Sequence, residues 1–275
     1  MTYSIERNKI IIEDLKEFDI TQILECGQVF SYKKIAGKKF EVYSSDKRAV
    51  VEQLCDRAII TTADPAYFEN YFDLKRDYAE IKGKLQNNKE LASPILFGGG
   101  IRILKQDKLE TIISFVVSAN NNISRITKSL FYIREKLGSK VGDYFAFPTL
   151  NQLMLADEKF FVQAGLGYRA KQMVKLIQQL KHVDLDEWDR LDTQTLKNRL
   201  IALSGIGPKV ADCILLFGFS RGDVFPVDTW ISKVFYDFYG EITKNRVKMS
   251  EILTKKYGDL SGVAQQYLFY YKRSI

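Results

Sequence analysis

The hydrophobic rhythm of the chain changes once along its length. From Tyr3 to Thr62 the apolar residues fall in short runs: Ile10–Ile12, Gln28–Tyr32, Phe40–Tyr43, Val50–Leu54 and Ala58–Thr62. Gly-, Lys- and Asp-rich turns separate them, which predicts an antiparallel sheet with Ala36-Gly37-Lys38 as one hairpin. From Pro65 the period lengthens to that of a helix, and Tyr67, Phe68, Tyr71 and Phe72 share one face. Helices are expected at Tyr78–Leu85, Leu109–Ala119, Ile123–Leu137, Leu150–Ala156, Arg169–His182 and Thr195–Leu203. Four more are expected at Lys209–Gly218, Thr229–Tyr239, Val247–Lys256 and Val263–Lys272. Gly98-Gly99-Gly100 reads as flexible punctuation between a sheet domain over 1–97 and a helical domain over 98–275. The fold class is α+β: a small N-terminal antiparallel sheet beside an all-helical bundle containing a helix–hairpin–helix at about 195–219.

One break between helices carries unusual residues, Leu203-Ser-Gly-Ile-Gly-Pro-Lys-Val-Ala-Asp-Cys213. Gly205 and Gly207 permit the positive φ of a tight hairpin. Pro208 suits the first position of the next helix, where the amide hydrogen it lacks would be unpaired anyway. The free amides of such a hairpin can hold a phosphate without reference to base sequence. Lys209 falls in the first turn of the new helix. Asp228 stands where an N-cap belongs, after Pro226 and before a Trp230/Val234/Phe238 stripe. Taken singly, these are also an ordinary turn, a solvated lysine and a cap.

Composition narrows the classes. Of 275 residues 46% are hydrophobic, and no run nears the ~18 apolar residues of a membrane helix. Charged residues surround Ile10-Ile11-Ile12 near the N-terminus, unlike a signal peptide, so a cytoplasmic protein is expected, nucleoid-associated in a prokaryote. Forty-one basic residues against thirty-four acidic give a net charge of +7, which suits a polyanionic partner. Cys26, Cys55 and Cys213 have neither zinc spacing nor the four-cysteine pattern of an iron–sulfur cluster. His182 is the only histidine, which removes histidine-based triads. No catalytic metal and no required cofactor are expected.

The hairpin, its Lys209 and the following Pro-Val-Asp resemble the helix–hairpin–helix Gly/Pro…Asp signature of base-excision DNA glycosylases. The residue types fit that chemistry. An unprotonated amine can attack C1′ of a deoxyribose, and a carboxylate can stabilise the cationic sugar. Further segments resemble the 8-oxoguanine DNA glycosylase/apurinic lyase branch. Cys26-Gly27-Gln28-Val29-Phe30 is similar to its Ser-Gly-Gln-x-Phe segment, which implies that the Gly27 carbonyl accepts from N7–H of the oxidised base. Ser118-Ala-Asn-Asn-Asn-Ile-Ser-Arg125 implies that Asn120 and Arg125 meet the orphaned cytosine, although helix capping also explains such an asparagine run. Gly165-Leu-Gly-Tyr-Arg-Ala170 implies Tyr168 as a wedge and Arg169 as a donor to the cytosine, with helix-start packing as the plainer role for Tyr168. In Gly262-Val-Ala-Gln-Gln-Tyr-Leu-Phe269, Gln265 and Phe269 share one helical face, and the resemblance puts both, with Cys213, against the base.

The resemblance therefore implies a bifunctional base-excision enzyme that flips 8-oxoguanine out of double-stranded DNA, preferentially opposite cytosine. Lys209 would cleave the glycosidic bond through a Schiff base, with β-elimination following and Asp228 assisting. It also implies phosphate contacts at Gly205 and Gly207, a monomer, and a monovalent cation on the Leu203 and Ile206 carbonyls. Trp230 departs from the pattern, since the family often has a phosphate-contacting histidine there. Two rivals remain on the residues: an alkylated-purine DNA glycosylase, and a non-catalytic helix–hairpin–helix DNA-binding protein. The first needs only the aspartate and the second needs neither, so Lys209 with Asp228 argues against both.

Overall fold

The computed structural model describes residues 1–275. Six strands, β1 (Tyr3–Glu6), β2 (Lys9–Ile12), β3 (Tyr32–Ala36), β4 (Lys39–Ser44), β5 (Lys47–Gln53) and β6 (Ala58–Thr62), form one antiparallel sheet in the order β1-β2-β6-β5-β4-β3. The register aligns Phe40 with Val51, Val51 with Ile60 and Ile60 with Ile10, and all four side chains are fully buried. That row is one face of the pleat. Helices α1 (Ile20–Glu25) and α2 (Pro65–Tyr71) bring Ile20, Ile23, Leu24 and Phe68 into the same core.

Two expectations fail in this region. Helix α1 lies within the stretch read as strands alone, and the Asp19 side chain caps it by accepting from the Gln22 amide. The strand expected over Gln28–Tyr32 begins only at Tyr32. Gln28 is fully buried instead, donating to the carbonyls of Ile23 and Arg102 at 2.9 and 2.8 Å and accepting from the Leu104 amide at 2.8 Å. A buried amide that satisfies three backbone groups outside any ladder holds this segment as a connector.

The helical body comprises α3 (Tyr78–Leu85), α4 (Ala92–Phe97), α5 (Lys108–Ser118), α6 (Ile123–Leu137), α7 (Leu150–Leu153), α8 (Glu158–Gln163) and α9 (Ala170–Leu180). It continues with α10 (Leu185–Trp188), α11 (Thr193–Ile201), α12 (Pro208–Gly218), α13 (Thr229–Tyr239), α14 (Arg246–Tyr257) and α15 (Ser261–Ser274). A short ribbon of β7 (Lys140–Val141) and β8 (Tyr144–Phe145) follows α6. The larger of two apolar cores belongs to this body and includes Tyr78, Ile81 and Leu85 from α3. The triglycine is not a spacer. Gly100 presses on α1, its carbonyl accepting from Asp19 at 3.0 Å and its amide donating to Gln22 at 2.8 Å, and an added Cβ would lie 2.5 Å from Asp19.

Two buried cations join the cores. Arg102 is fully buried and donates to the carbonyls of Phe72, Glu17, Asp73 and Arg76, with its guanidinium 4.1 Å from the Tyr78 ring centre. Its pKa falls below the usual arginine value because burial penalises the charge. Arg134 of α6 pairs with Glu110 of α5 at 2.6 Å, and Glu110 also accepts from Ser31 at 2.5 Å and from the Ser45 amide at 2.8 Å. Replacing one partner of such a pair strands a buried charge, at a cost of about 3–5 kcal/mol.

Candidate active site

Helix α11 ends at Ile201, and the chain turns back through Ser204 to Gly207 into α12. Gly205 has φ +81° and fits against Val116 of α5 and Gln172 of α9, where an added Cβ would sit 3.3 Å from the valine. Gly207 does not use the positive φ expected of it. It is extended at φ −94°, ψ 176°, and the space where a Cβ would stand is open. A glycine there exposes backbone without needing a left-handed turn. No side chain caps α12, so its first amides remain available to an outside acceptor.

Lys209 is half-buried, with Nζ 5.8 Å from the centre of the Phe115 ring. Phe115 stacks on Phe217 at 5.4 Å and meets the edge of Phe30 at 5.7 Å. These rings connect the amine to the Gly27 segment. One turn after Lys209, Cys213 is buried, and burial lifts its thiol pKa while the nearby Lys209 ammonium pulls the other way. Asp228 lies close enough to act on the same thiol. It caps α13 by accepting from the Ile231 amide at 2.9 Å through Oδ1, while its carbonyl accepts from the Ser232 hydroxyl at 2.7 Å. The cap fixes the carboxylate's direction and leaves Oδ2 free. Behind this group, buried Asp212 contacts Lys197 of α11 at 2.6 Å, tying the two hairpin helices together. Burial raises the Asp212 carboxyl pKa, which the lysine partly opposes.

The base-side residues also converge. Gly27 has φ +84°, and a Cβ there would lie 3.0 Å from both Phe269 and Arg273 of α15. Arg273 stacks on Phe269 at 5.2 Å and donates to the Glu25 carbonyl, so one side chain staples the Gly27 turn to α15. Gly262 of α15 lies flush on Leu216 of α12, where an added Cβ would be only 2.2 Å away. Gln265 lies one turn further along α15 and is buried. The Gln265 Oε1 atom is buried without a hydrogen-bond partner. Neighbouring Gln266 donates instead to the Cys26 carbonyl and fixes the helix against the turn.

The third group sits at the junction of α5 with α6. Asn120 has φ +49°, and its carbonyl accepts from Arg169 at 2.8 Å. Arg169 is buried rather than presented to solvent, and its guanidinium lies 4.5 Å from the ring of Tyr168, which is 72% exposed. Asn122 caps α6 by accepting from the Arg125 amide at 3.0 Å, so the asparagine run does serve as a cap. The Arg125 side chain is exposed. Trp230 is 37% exposed with Lys233 Nζ 4.5 Å over its ring, so an indole and an ammonium occupy the position expected of a histidine. Phe115, Phe217 and Arg273 went unpredicted. The first two lie in helices buried continuously over 110–117 and 210–218, and nothing in sequence pairs Arg273 with a turn near the N-terminus.

The chain is similar to known proteins over most of its length. Residues 10–112 match the family model for the 8-oxoguanine DNA glycosylase N-terminal domain, and residues 113–258 match the HhH-GPD superfamily of base excision DNA repair proteins. A probable N-glycosylase/DNA lyase of Methanothermobacter thermautotrophicus is 32% identical over 74% of this chain and 73% of its own length. The N-glycosylase/DNA lyase OGG1 of Arabidopsis thaliana is 36% identical over 62% of this chain, a match spanning about half (51%) of the plant protein. The 8-oxoguanine glycosylase/lyase of Clostridium acetobutylicum, solved with double-stranded DNA containing cytosine opposite 8-oxoguanine, superposes with a TM-score of 0.94. It is 33% identical, and the alignment covers 100% of this chain and 98% of that one. The chain belongs to the helix–hairpin–helix Gly/Pro…Asp superfamily of base excision repair proteins, in the branch that carries the 8-oxoguanine DNA glycosylase N-terminal domain.

Proposed function

We propose that this protein excises 8-oxoguanine from double-stranded DNA and then cuts the strand at the abasic sugar, acting as a monomer. The observation that carries the reading is the grouping of Lys209, Cys213 and Asp228 at a hairpin whose helix lacks a side-chain cap. The likeness to glycosylase/lyases over most of the chain supports it.

The hairpin amides take the phosphates beside the lesion, and the Trp230 indole and Lys233 add donors to that grip. A monovalent cation fits here, because the Ile206 carbonyl has no protein donor and that of Leu203 accepts only a long 3.3 Å bond. Tyr168 enters the stack as the damaged nucleotide swings out, and Asn120, Arg125 and Arg169 face the cytosine left behind. The flipped base lies between Phe269 and Cys213. Its N7–H donates to the Gly27 carbonyl, and Gln265 takes its Watson–Crick edge, giving the orphaned Oε1 a donor. Guanine has a lone pair at N7, which the same carbonyl repels.

The neutral Lys209 amine then attacks C1′. The C1′–N9 bond breaks with its electron pair going to the base, which takes up a proton, while Asp228 stabilises the positive sugar. Opening of the C1′–O4′ bond leaves a protonated imine on Lys209. Loss of a C2′ proton expels the 3′ phosphate, and water releases the sugar remnant and the lysine. Borohydride trapping on an end-labelled duplex with one 8-oxoguanine opposite cytosine tests the reading. A covalent complex is expected on that duplex and not on its undamaged counterpart. Binding without trapping would overturn the assignment of Lys209.

A further inference from the structure

Beside the Tyr168 wedge, α6 and the turn after α8 enclose an open cavity of about 530 Å³, lined by Arg125, Lys128, Ser129, Tyr132, Gln163 and Gly167 among others. No carboxylate lines it, whereas four other cavities of the molecule all contain acidic side chains. Arg125 and Lys128 are both exposed and enter no ion pair, although most lysines of the β3–β4 hairpin are matched with carboxylates. Ser129 is only 4% exposed, yet its hydroxyl makes no hydrogen bond within the protein. Gly165, at φ +87°, faces that hydroxyl, and a Cβ there would come within 3.2 Å of it. The Gly167 amide likewise donates to no group in the protein. Two cations, a hydroxyl and a backbone amide thus converge with no anion among them, a donor set suited to a phosphate.

We infer that this cavity binds a phosphodiester of the undamaged strand next to the orphaned cytosine. The inference rests on the proposed function for its duplex partner, for the insertion of Tyr168 and for the strand that the hairpin holds. The hairpin grips one strand and packs against Val116 and Gln172. The cavity instead adjoins the residue before Tyr168. A duplex straddling an inserted Tyr168 puts its flipped strand on the hairpin side and its complement on the other. Lys128 lies one helical turn from Arg125, so a single helix face brings both cations to the cavity.

The test scans single neutral methylphosphonate linkages along the undamaged strand and then along the damaged strand, reading duplex affinity in Lys209→Gln protein so that the DNA stays intact. One linkage within about three nucleotides of the cytosine is expected to weaken binding about fivefold. Lys128→Met should cause a similar loss, lower the salt slope by about one, and abolish sensitivity to that linkage alone. Lys9→Met, which removes an exposed lysine on β2, should leave the scan unchanged. Equal losses from Lys9→Met and Lys128→Met would reduce the effect to bulk charge and overturn the site. Sensitivity that moves to damaged-strand linkages would assign the cavity to the wrong strand, and full linkage sensitivity in Lys128→Met would remove the lysine from it. Because no turnover is read, failure of the glycosylase chemistry would not imitate any of these outcomes.

Discussion

The hairpin and the proposed base pocket would solve different problems with different parts of the chain. Leu203 to Asp228 supply the turn, the amine and the carboxylate within twenty-six consecutive residues, and each has a local cause: a left-handed glycine, a proline-led helix, a cap. The base pocket joins Gly27 to Phe269 and Arg273, 242 and 246 residues away. On the proposed reading, chemistry is a local arrangement and recognition of the lesion is a long-range one. The two should separate cleanly when the substrate already lacks its base.

Lys209→Gln should have the largest effect, lowering both base release and cleavage at a preformed abasic site by at least about 10⁴-fold. Lesion binding should persist; an undiminished lyase rate would move the amine elsewhere. Asp228→Asn should slow base release on the order of 10²- to 10⁴-fold. It should barely change the melting temperature, since asparagine caps a helix as well as aspartate does. A large loss of stability would mean that the carboxylate serves the fold before the reaction.

Gln265→Ala and Gly27→Ala should cut excision of 8-oxoguanine by about tenfold or more and leave abasic-site cleavage nearly intact. Gly27→Ala should also destabilise the protein by about 1–2 kcal/mol, the cost of a side chain in the left-handed region. Equal losses in both assays would merge the two regions into one. The smallest effect concerns the thiols. At about pH 8 an alkylating reagent should label exposed Cys55 and spare buried Cys26 and Cys213. Burial pushes the Cys26 thiol up to about 12. Thiolate grows as pH rises, so moving to about pH 10 should still leave Cys26 unlabelled; modification there would show that the seam opens.

The same division decided what could be read from the sequence. The hairpin, its proline and the Asp228 cap are short-range signals, and the helices expected over Ile123–Leu137, Lys209–Gly218 and Thr229–Tyr239 form there to within one residue. Helix α1 was lost because six residues between connectors show less than two turns of pattern. Gln28 misled because it sits between apolar neighbours, like a strand residue, while its amide serves three distant backbone groups. Phe115 could not be singled out in α5, where Thr111 to Val117 are all buried and no face differs from another. Gly207 was assigned a left-handed turn it does not make, because glycine in sequence does not say whether conformation or open space is needed.

The Arg273 staple also has a consequence for the order of assembly. Helix α15 leaves the ribosome after every other element of this fold, and it carries Gln265, Phe269 and the arginine that grips the Glu25 carbonyl. Contacts so distant in the chain carry a large loop-closure entropy and form late. The hairpin, by contrast, can form from neighbouring helices while synthesis continues. A nascent chain would therefore acquire its grip on DNA before its lesion-reading pocket, and only docking of α15 would make it selective.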